Sequence, residues 1–144
     1  TDFQRRIGAG DFLEYARVHD HYYGTLRQSI VDTLRAGTDV LVDIDVQGAK
    51  TIRKSTDPFI SDSLVDIFIM PPSLEELRHR LEKRGTESAG QIDFRLTNAA
   101  AEMKCWREYK YTIISGSMEE DLTKFRAITR AERYLSRRII SLEN

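Results

Sequence analysis

Residues 39–48 read DVLVDIDVQG, an apolar run of Val40, Leu41, Val42, Ile44 and Val46 that carries two carboxylates, Asp43 and Asp45. A run of this kind predicts a buried strand over 39–45. Residues two apart on a strand share a face, so both carboxylates point the same way. An unpaired carboxylate in an apolar interior is costly or takes up a proton. Either something cationic meets that face, or the strand ends there and its tip meets water. Three chemistries suit the pair. It can hold a magnesium ion, directly or through water, because hard oxygen ligands suit that ion. It can accept hydrogen bonds from a substrate. It can pair with an arginine and be purely structural.

Arginines form the second set. Arg80 and Arg84 are four residues apart within a helical pattern and share a face, and Arg95 follows beyond a loop that contains glycine. Three guanidiniums around such a loop can close over polyphosphate and offset charge that develops in phosphoryl transfer. The plainer reading is a solvated face, since Arg78, Glu82 and Lys83 are neighbours. The stretch HDHYYGT, residues 19–25, offers Tyr22, Tyr23 and Thr25 hydroxyls for a phosphate or a base edge, with Gly24 permitting close approach. Its plainer reading is a hairpin with aromatic packing across the strands. Glu14, within FLEYA, can read the donors on a base edge or can lie on an exposed face. His19 and His21 have no third ligand in view, and lone Cys105 reads as a packed thiol rather than a nucleophile.

These residues need elements to position them. The chain has 144 residues, enough for one domain with a core, and a net charge of -1. That balance gives no support to a nucleic-acid or anionic-membrane partner. No apolar run reaches the length needed to span a bilayer, and residues 1–12 lack the apolar centre of a secretory signal, so an intracellular, cytoplasmic location is expected. Residues 12–25 (FLEYARVHDHYYGT) read as extended, with a turn at His19–Asp20. A helix is expected from about Thr25, capped by that threonine and closed by Gly37. After the strand at 39–45 come a short helix in QGAKTIRK and a loop from Asp57–Pro58. Residues 64–70 (LVDIFIM) form a second strand, stopped by Pro71 and Pro72. Ser73 with Glu76 predicts a capping box for a helix over 73–84 ended by Gly85. A helix over about 91–109, a strand over 111–115 and a last helix over about 119–141 follow. The last helix is expected to bury Leu122, Phe125, Ile128, Ala131, Leu135 and Ile139. Its basic run, Lys124, Arg126, Arg130, Arg133, Arg137 and Arg138, reads as a polar face or as a surface for an anionic partner. Strands alternating with helices imply an α/β core with a parallel sheet, whose ligands sit beyond the carboxyl ends of the strands.

FLEYA, YYGT, DIDVQGA and PPS-x-x-x-L-x-x-RL-x-x-RGTES occur here in one order, and the ordered set resembles the guanylate kinase family along most of the chain. The resemblance implies a P-loop kinase-like parallel sheet with flanking helices, incomplete at the N-terminus, with a lid and part of a GMP-binding domain. It divides the chain into the later part of the GMP-binding domain (1–37), core (38–77), lid (78–97) and core with the C-terminal helix (98–144). The implied reaction is ATP-dependent phosphorylation of GMP to GDP, with magnesium accompanying ATP. Glu14 resembles the family's guanine-reading glutamate, Tyr23 the tyrosine that bonds the GMP phosphate, and Thr25 the hydroxyl beside it. Asp43 and Asp45 match the Asp-Ile-Asp between the GMP and magnesium-phosphate sites: Asp43 is placed with the metal and the chemistry, Asp45 with GMP. Arg80, Arg84 and Arg95 match the lid arginines that embrace the ATP phosphates. Tyr22 is left as packing.

Three departures accompany the likeness. No G-x-x-x-x-G-K-[ST] occurs in these residues, so the chain is read as the family's C-terminal two-thirds, and these residues alone are expected to be a poor catalyst. Ser115–Gly116 stand where the family usually has Asn-Asp near the adenine. The segment STDPFISDS, residues 55–63, is longer than is common in the family. The alternative is a non-catalytic guanylate-kinase-like module that binds partner proteins.

Overall fold

A computed structural model describes residues 2–18 and 21–139. The chain divides into two compact units, Thr1–Leu64 and Val65–Asn144.

The first unit opens with helix α1 (Asp2–Ala9), which the sequence pattern did not suggest. Strands β1 (Phe12–Val18) and β2 (His21–Leu26) form an antiparallel hairpin, as the aromatic run implies. The expected turn at His19–Asp20 lies outside the described residues. The pairing sets Phe12 opposite Leu26 and Glu14 opposite Thr25, so Leu13 is an extra, bulged residue. A bulge breaks the strict alternation of faces. Both Leu13 and Glu14 are consequently buried, and Leu13 joins Val31, Ile52 and Ile60 in the core of the unit. Elsewhere on the hairpin, Phe3 stacks on Phe12 with ring centroids 4.3 Å apart and packs against Tyr15 and Tyr22. Gly24 is needed there: a Cβ on it would lie 2.8 Å from the Phe12 ring and 2.9 Å from the Tyr15 Cβ.

Helix α2 (Arg27–Arg35) starts later than expected and has no side-chain cap. Thr25 stays in β2 because its hydroxyl bonds across the hairpin to Glu14. Gly37, at φ 76°, turns the chain beyond the helix. The strand expected over 39–45 is not formed: these residues pair with no described strand. A strand needs a ladder partner, and the strands of this unit pair with each other. The two-residue period nevertheless survives in the burial. Val40, Val42 and Ile44 are half-buried, while Leu41 (79%), Asp43 and Asp45 are exposed. Helices α3 (Val46–Arg53) and α4 (Pro58–Ser63) complete the unit. The expected loop from Asp57 is thus a helix: Asp57 accepts from the Phe59 N–H, and Pro58 occupies the first turn, where no N–H is needed.

In the second unit, β3 (Ile67–Met70) and β4 (Tyr111–Ile114) pair in parallel, Ile67 opposite Tyr111 through Met70 opposite Ile114. The parallel arrangement is the expected one, with two strands among the described residues. Helix α5 (Leu74–Arg84) is capped by Ser73 and ended by Gly85 at φ 66°. Only half of its capping box forms, because the Glu76 carboxylate turns to Arg80 instead. Helix α6 (Ala89–Glu102) opens with a full capping box from Ser88 and Gln91. It tightens into a 3-10 helix over Met103–Glu108, where Cys105 is half-buried. An ion pair of 2.7 Å from Arg78 to Asp93 joins α5 and α6.

Helix α7 (Met118–Arg133) ends well before residue 141, and a 3-10 turn follows at Ser136–Arg138. The burial expected of it is corrected. Leu122, Ala131 and Ile139 are exposed, and Phe125, Ile128 and Leu135 are half-buried. A pair of four-residue strands offers too little surface to cover a sixteen-residue helix. The buried residue of α7 is instead Glu132, 2% exposed.

Candidate functional site

In the first unit the hairpin and the start of α3 bring chemistry together. Thr25 Oγ1 donates to Glu14 Oε1 at 2.6 Å. This bond fixes a carboxylate that the bulge has already buried to 8% exposure. The plainer expectation, an exposed Glu14, is overturned for that reason. Asp45 is the N-cap of α3 and accepts the Gly48 N–H at 2.8 Å, so its first task is structural. A Cβ placed on Gly48 would lie 3.4 Å from both Asp45 Oδ1 and Glu14 Oε2. The two carboxylates therefore flank the bare backbone of Gly48. Tyr23 precedes Thr25 by two residues in β2, on the same face, and is 59% exposed. Its neighbour Tyr22 packs on Phe3 at 5.3 Å. The unit thus presents a fixed acceptor, Glu14, and an exposed hydroxyl, Tyr23, along one hairpin face.

Asp43 is exposed and bonds to no described residue. No group of three or more His, Cys, Asp or Glu side chains among the described residues can cage a metal. One free carboxylate suits a magnesium ion that keeps its waters and takes its other ligands from phosphates. The residues fit the ion on those terms.

The three arginines belong to the second unit, and each is held differently. Arg80 lies at the carboxyl end of the parallel pair. There the Ser115 N–H bonds to the Met70 carbonyl at 2.8 Å. Arg80 Nη1 donates to Ser115 Oγ at 2.9 Å, Nη2 to the Ser115 carbonyl at 3.2 Å, and Nε to Glu76 at 2.7 Å. Ser115 Oγ in turn donates to Asp121 Oδ2 at 2.8 Å, and the Gly116 N–H to Asp121 Oδ1 at 2.9 Å. The Gly116 N–H, then Ser115, hold the Asp121 carboxyl below its ordinary range despite some desolvation. Arg80 likewise lowers Glu76 through its hydrogen bond. Arg84 is exposed and has no hydrogen bond or ion pair to a described side chain. Arg95 Nε forms an ion pair with Glu87 Oε1 at 2.9 Å. No single partner gathers all three.

Asp121 and Glu87 were not among the residues singled out from the sequence, and Glu76 was read there as a cap partner of Ser73 rather than as a partner of Arg80. The four-residue spacing of Glu76 and Arg80 was a signal for that pairing. Of the basic run, Lys124 donates to the Ile114 carbonyl at 2.8 Å, and Arg138 meets Glu132 at 3.3 Å. Those two are engaged within the unit rather than arrayed for a partner.

The solved guanylate kinase from Anaplasma phagocytophilum matches this fold with a TM-score of 0.75 at 33% identity, covering 98% of this chain and 66% of that one. The fold is thereby that of an α/β protein of the P-loop kinase class. Among curated proteins, the chain is similar to the guanylate kinase of Vibrio parahaemolyticus, 46% identical over 132 residues, covering 92% of this chain and 61% of the relative. It is also similar to that of Bartonella henselae, 39% identical over 142 residues, covering 99% of this chain and 62% of the relative. The guanylate kinase family model matches residues 1–132, and the chain belongs to that family. It spans about three fifths of the length of these curated relatives. No described helix is long and apolar enough to cross a membrane.

Proposed function

We propose that these residues form the GMP site and lid of an enzyme that transfers the γ-phosphate of ATP to GMP, yielding ADP and GDP. The observation that carries the proposal is Glu14, buried at a bulge and oriented by Thr25. A fixed carboxylate accepts from the adjacent ring and amino N–H donors of guanine, an edge that adenine lacks. The exposed Tyr23 hydroxyl donates to the GMP phosphate. Gly48 leaves room between the carboxylates, and Asp45 holds the start of α3 in place.

Transfer of a phosphoryl group is mostly a matter of alignment and charge, so no general base needs assigning. Arg84, with its guanidinium free, and Arg95 face the polyphosphate in this reading, and Arg80 is held by Ser115 at the edge of the sheet. Asp43 takes part in holding the magnesium ion. Bound with ATP, that ion would neutralise phosphate charge. A glycine-rich phosphate loop is not among these 144 residues, and the reaction needs one to complete the cradle. The reading extends to a cytoplasmic enzyme of purine nucleotide metabolism with GMP and ATP as its small-molecule partners, and with no nucleic-acid or membrane partner.

The test is GDP formation from GMP, ATP and magnesium by the full-length polypeptide carrying these residues. Glu14→Ala is expected to raise the KM for GMP by about 10- to 100-fold, the worth of a charge-assisted hydrogen bond, with a smaller effect on kcat. Arg84→Ala is expected mainly to depress kcat. Equal, negligible effects would refute the residue assignments. Absence of GDP from the unaltered protein would refute the kinase and leave a protein-binding module in its place.

A further inference from the structure

The loop between Gly85 and Ser88 is short and polar, and a glutamate there belongs on the surface. Glu87 is not on the surface. Its side chain is 9% exposed, while that of its partner Arg95 is 56% exposed. Glu87 Oε1 lies 2.9 Å from Arg95 Nε, an ion pair. Its second oxygen, Oε2, is buried and has no hydrogen-bond partner. An ionised oxygen left in that state opposes folding, so some other gain must offset it. The geometry on the arginine side is informative. Only Nε is engaged, and Nη1 and Nη2 make no bond to a described residue. A guanidinium grips phosphate through paired N–H groups in a fixed fork. A carboxylate on Nε fixes the direction of that fork and leaves its terminal nitrogens free.

We infer that Glu87 is a positioning residue for Arg95: from its buried seat in the loop between α5 and α6 it aims the guanidinium at the polyphosphate. The inference rests on the phosphate-binding reading of Arg95. A competing, purely structural role is available. Glu87 directly precedes the N-cap of α6, where a negative charge favours the helix. The two roles differ in what they require. The structural role works without Arg95, and the positioning role does not.

The experiment compares Glu87→Ala, Glu87→Gln, Arg95→Ala and the Glu87→Ala/Arg95→Ala pair in the full-length polypeptide. Glu87→Ala is expected to lower kcat about tenfold and leave the KM for GMP unchanged, because a misdirected group costs rate rather than acceptor binding. Glu87→Gln keeps the shape but removes the charge of the ion pair, and should recover only part of that loss. In the Arg95→Ala background, Glu87→Ala should cost nothing further. A readout independent of turnover is the 15Nε chemical shift of Arg95, which should move when Glu87→Ala removes the facing carboxylate. The inference falls if Glu87→Ala lowers the melting temperature but spares kcat. It also falls if the kcat loss is the same with and without Arg95, or if the Arg95 15Nε shift is unchanged in Glu87→Ala. If Arg95→Ala itself leaves kcat intact, the phosphate reading of Arg95 fails and takes the inference with it, while the 15Nε shift still reports the ion pair.

Discussion

Replacing Glu132 by alanine should be among the more damaging single changes in the second unit. Glu132 is 2% exposed, and its carboxylate accepts from the Tyr111 hydroxyl at 2.6 Å. It also meets Lys110 Nζ at 2.6 Å and Arg138 Nη2 at 3.3 Å. One side chain thus ties the start of β4 to the turn after α7. Hydrogen bonds to a charged group are worth about 1.5–3 kcal/mol each, and removing one member of a buried pair costs about 3–5 kcal/mol. Lys110 and Arg138, 36% and 21% exposed, regain some water when the carboxylate goes, which favours the low end. The expected loss is about 3 kcal/mol, a fall in Tm on the order of 10 °C. Glu132→Gln keeps one acceptor and should lose less. Burial pushes the Glu132 carboxyl up, but Lys110, Tyr111 and Arg138 outweigh it, and the carboxyl ends below its ordinary 4.5. A lowered carboxyl stabilises the fold above its unfolded pKa, and that contribution is lost as pH falls through the folded value. Melts of the unaltered protein and Glu132→Ala should therefore differ most near neutrality and converge in acid. Differential scanning calorimetry over a pH series reads both. A variant within about 0.5 kcal/mol of the unaltered protein, or a gap that is constant with pH, would refute the reasoning.

Asp45 separates capping from charge. Asp45→Ala should cost about 1 kcal/mol by urea denaturation, whereas Asp45→Asn still accepts the Gly48 N–H and should cost a few tenths. A fall in GMP affinity with Asp45→Asn at unchanged stability would show that the charge itself meets the ligand. Gly24→Ala drives a methyl into the Phe12 ring and the Tyr15 Cβ and should cost about 1–3 kcal/mol by the same measurement; an unchanged midpoint would show that the hairpin relaxes freely.

Local signals were legible wherever a residue acts on its own backbone. Ser73 and Gly85 mark the ends of α5 because a hydroxyl at an N-cap and a glycine at positive φ work within one turn of the chain. The parallel β3–β4 pair follows from alternating strand and helix. The ordered motifs likewise lie along the chain, and they suffice for the family. Boundaries failed where a distant partner decides. Residues 39–45 carry a strand pattern but no described ladder, and Thr25 forgoes a cap for Glu14 across the hairpin.

Glu14, Glu87 and Glu132 show the division most clearly. In the sequence all three are ordinary glutamates among polar or mixed neighbours. In the structure one is buried by a bulge and held by Thr25, one is buried in a loop against Arg95, and one is buried under Tyr111, Lys110 and Arg138. Residue type and spacing determined which groups are available for chemistry and which family they belong to. Burial and partner decide what a carboxylate does, and both come from residues remote in the chain, so only the tertiary structure could settle them.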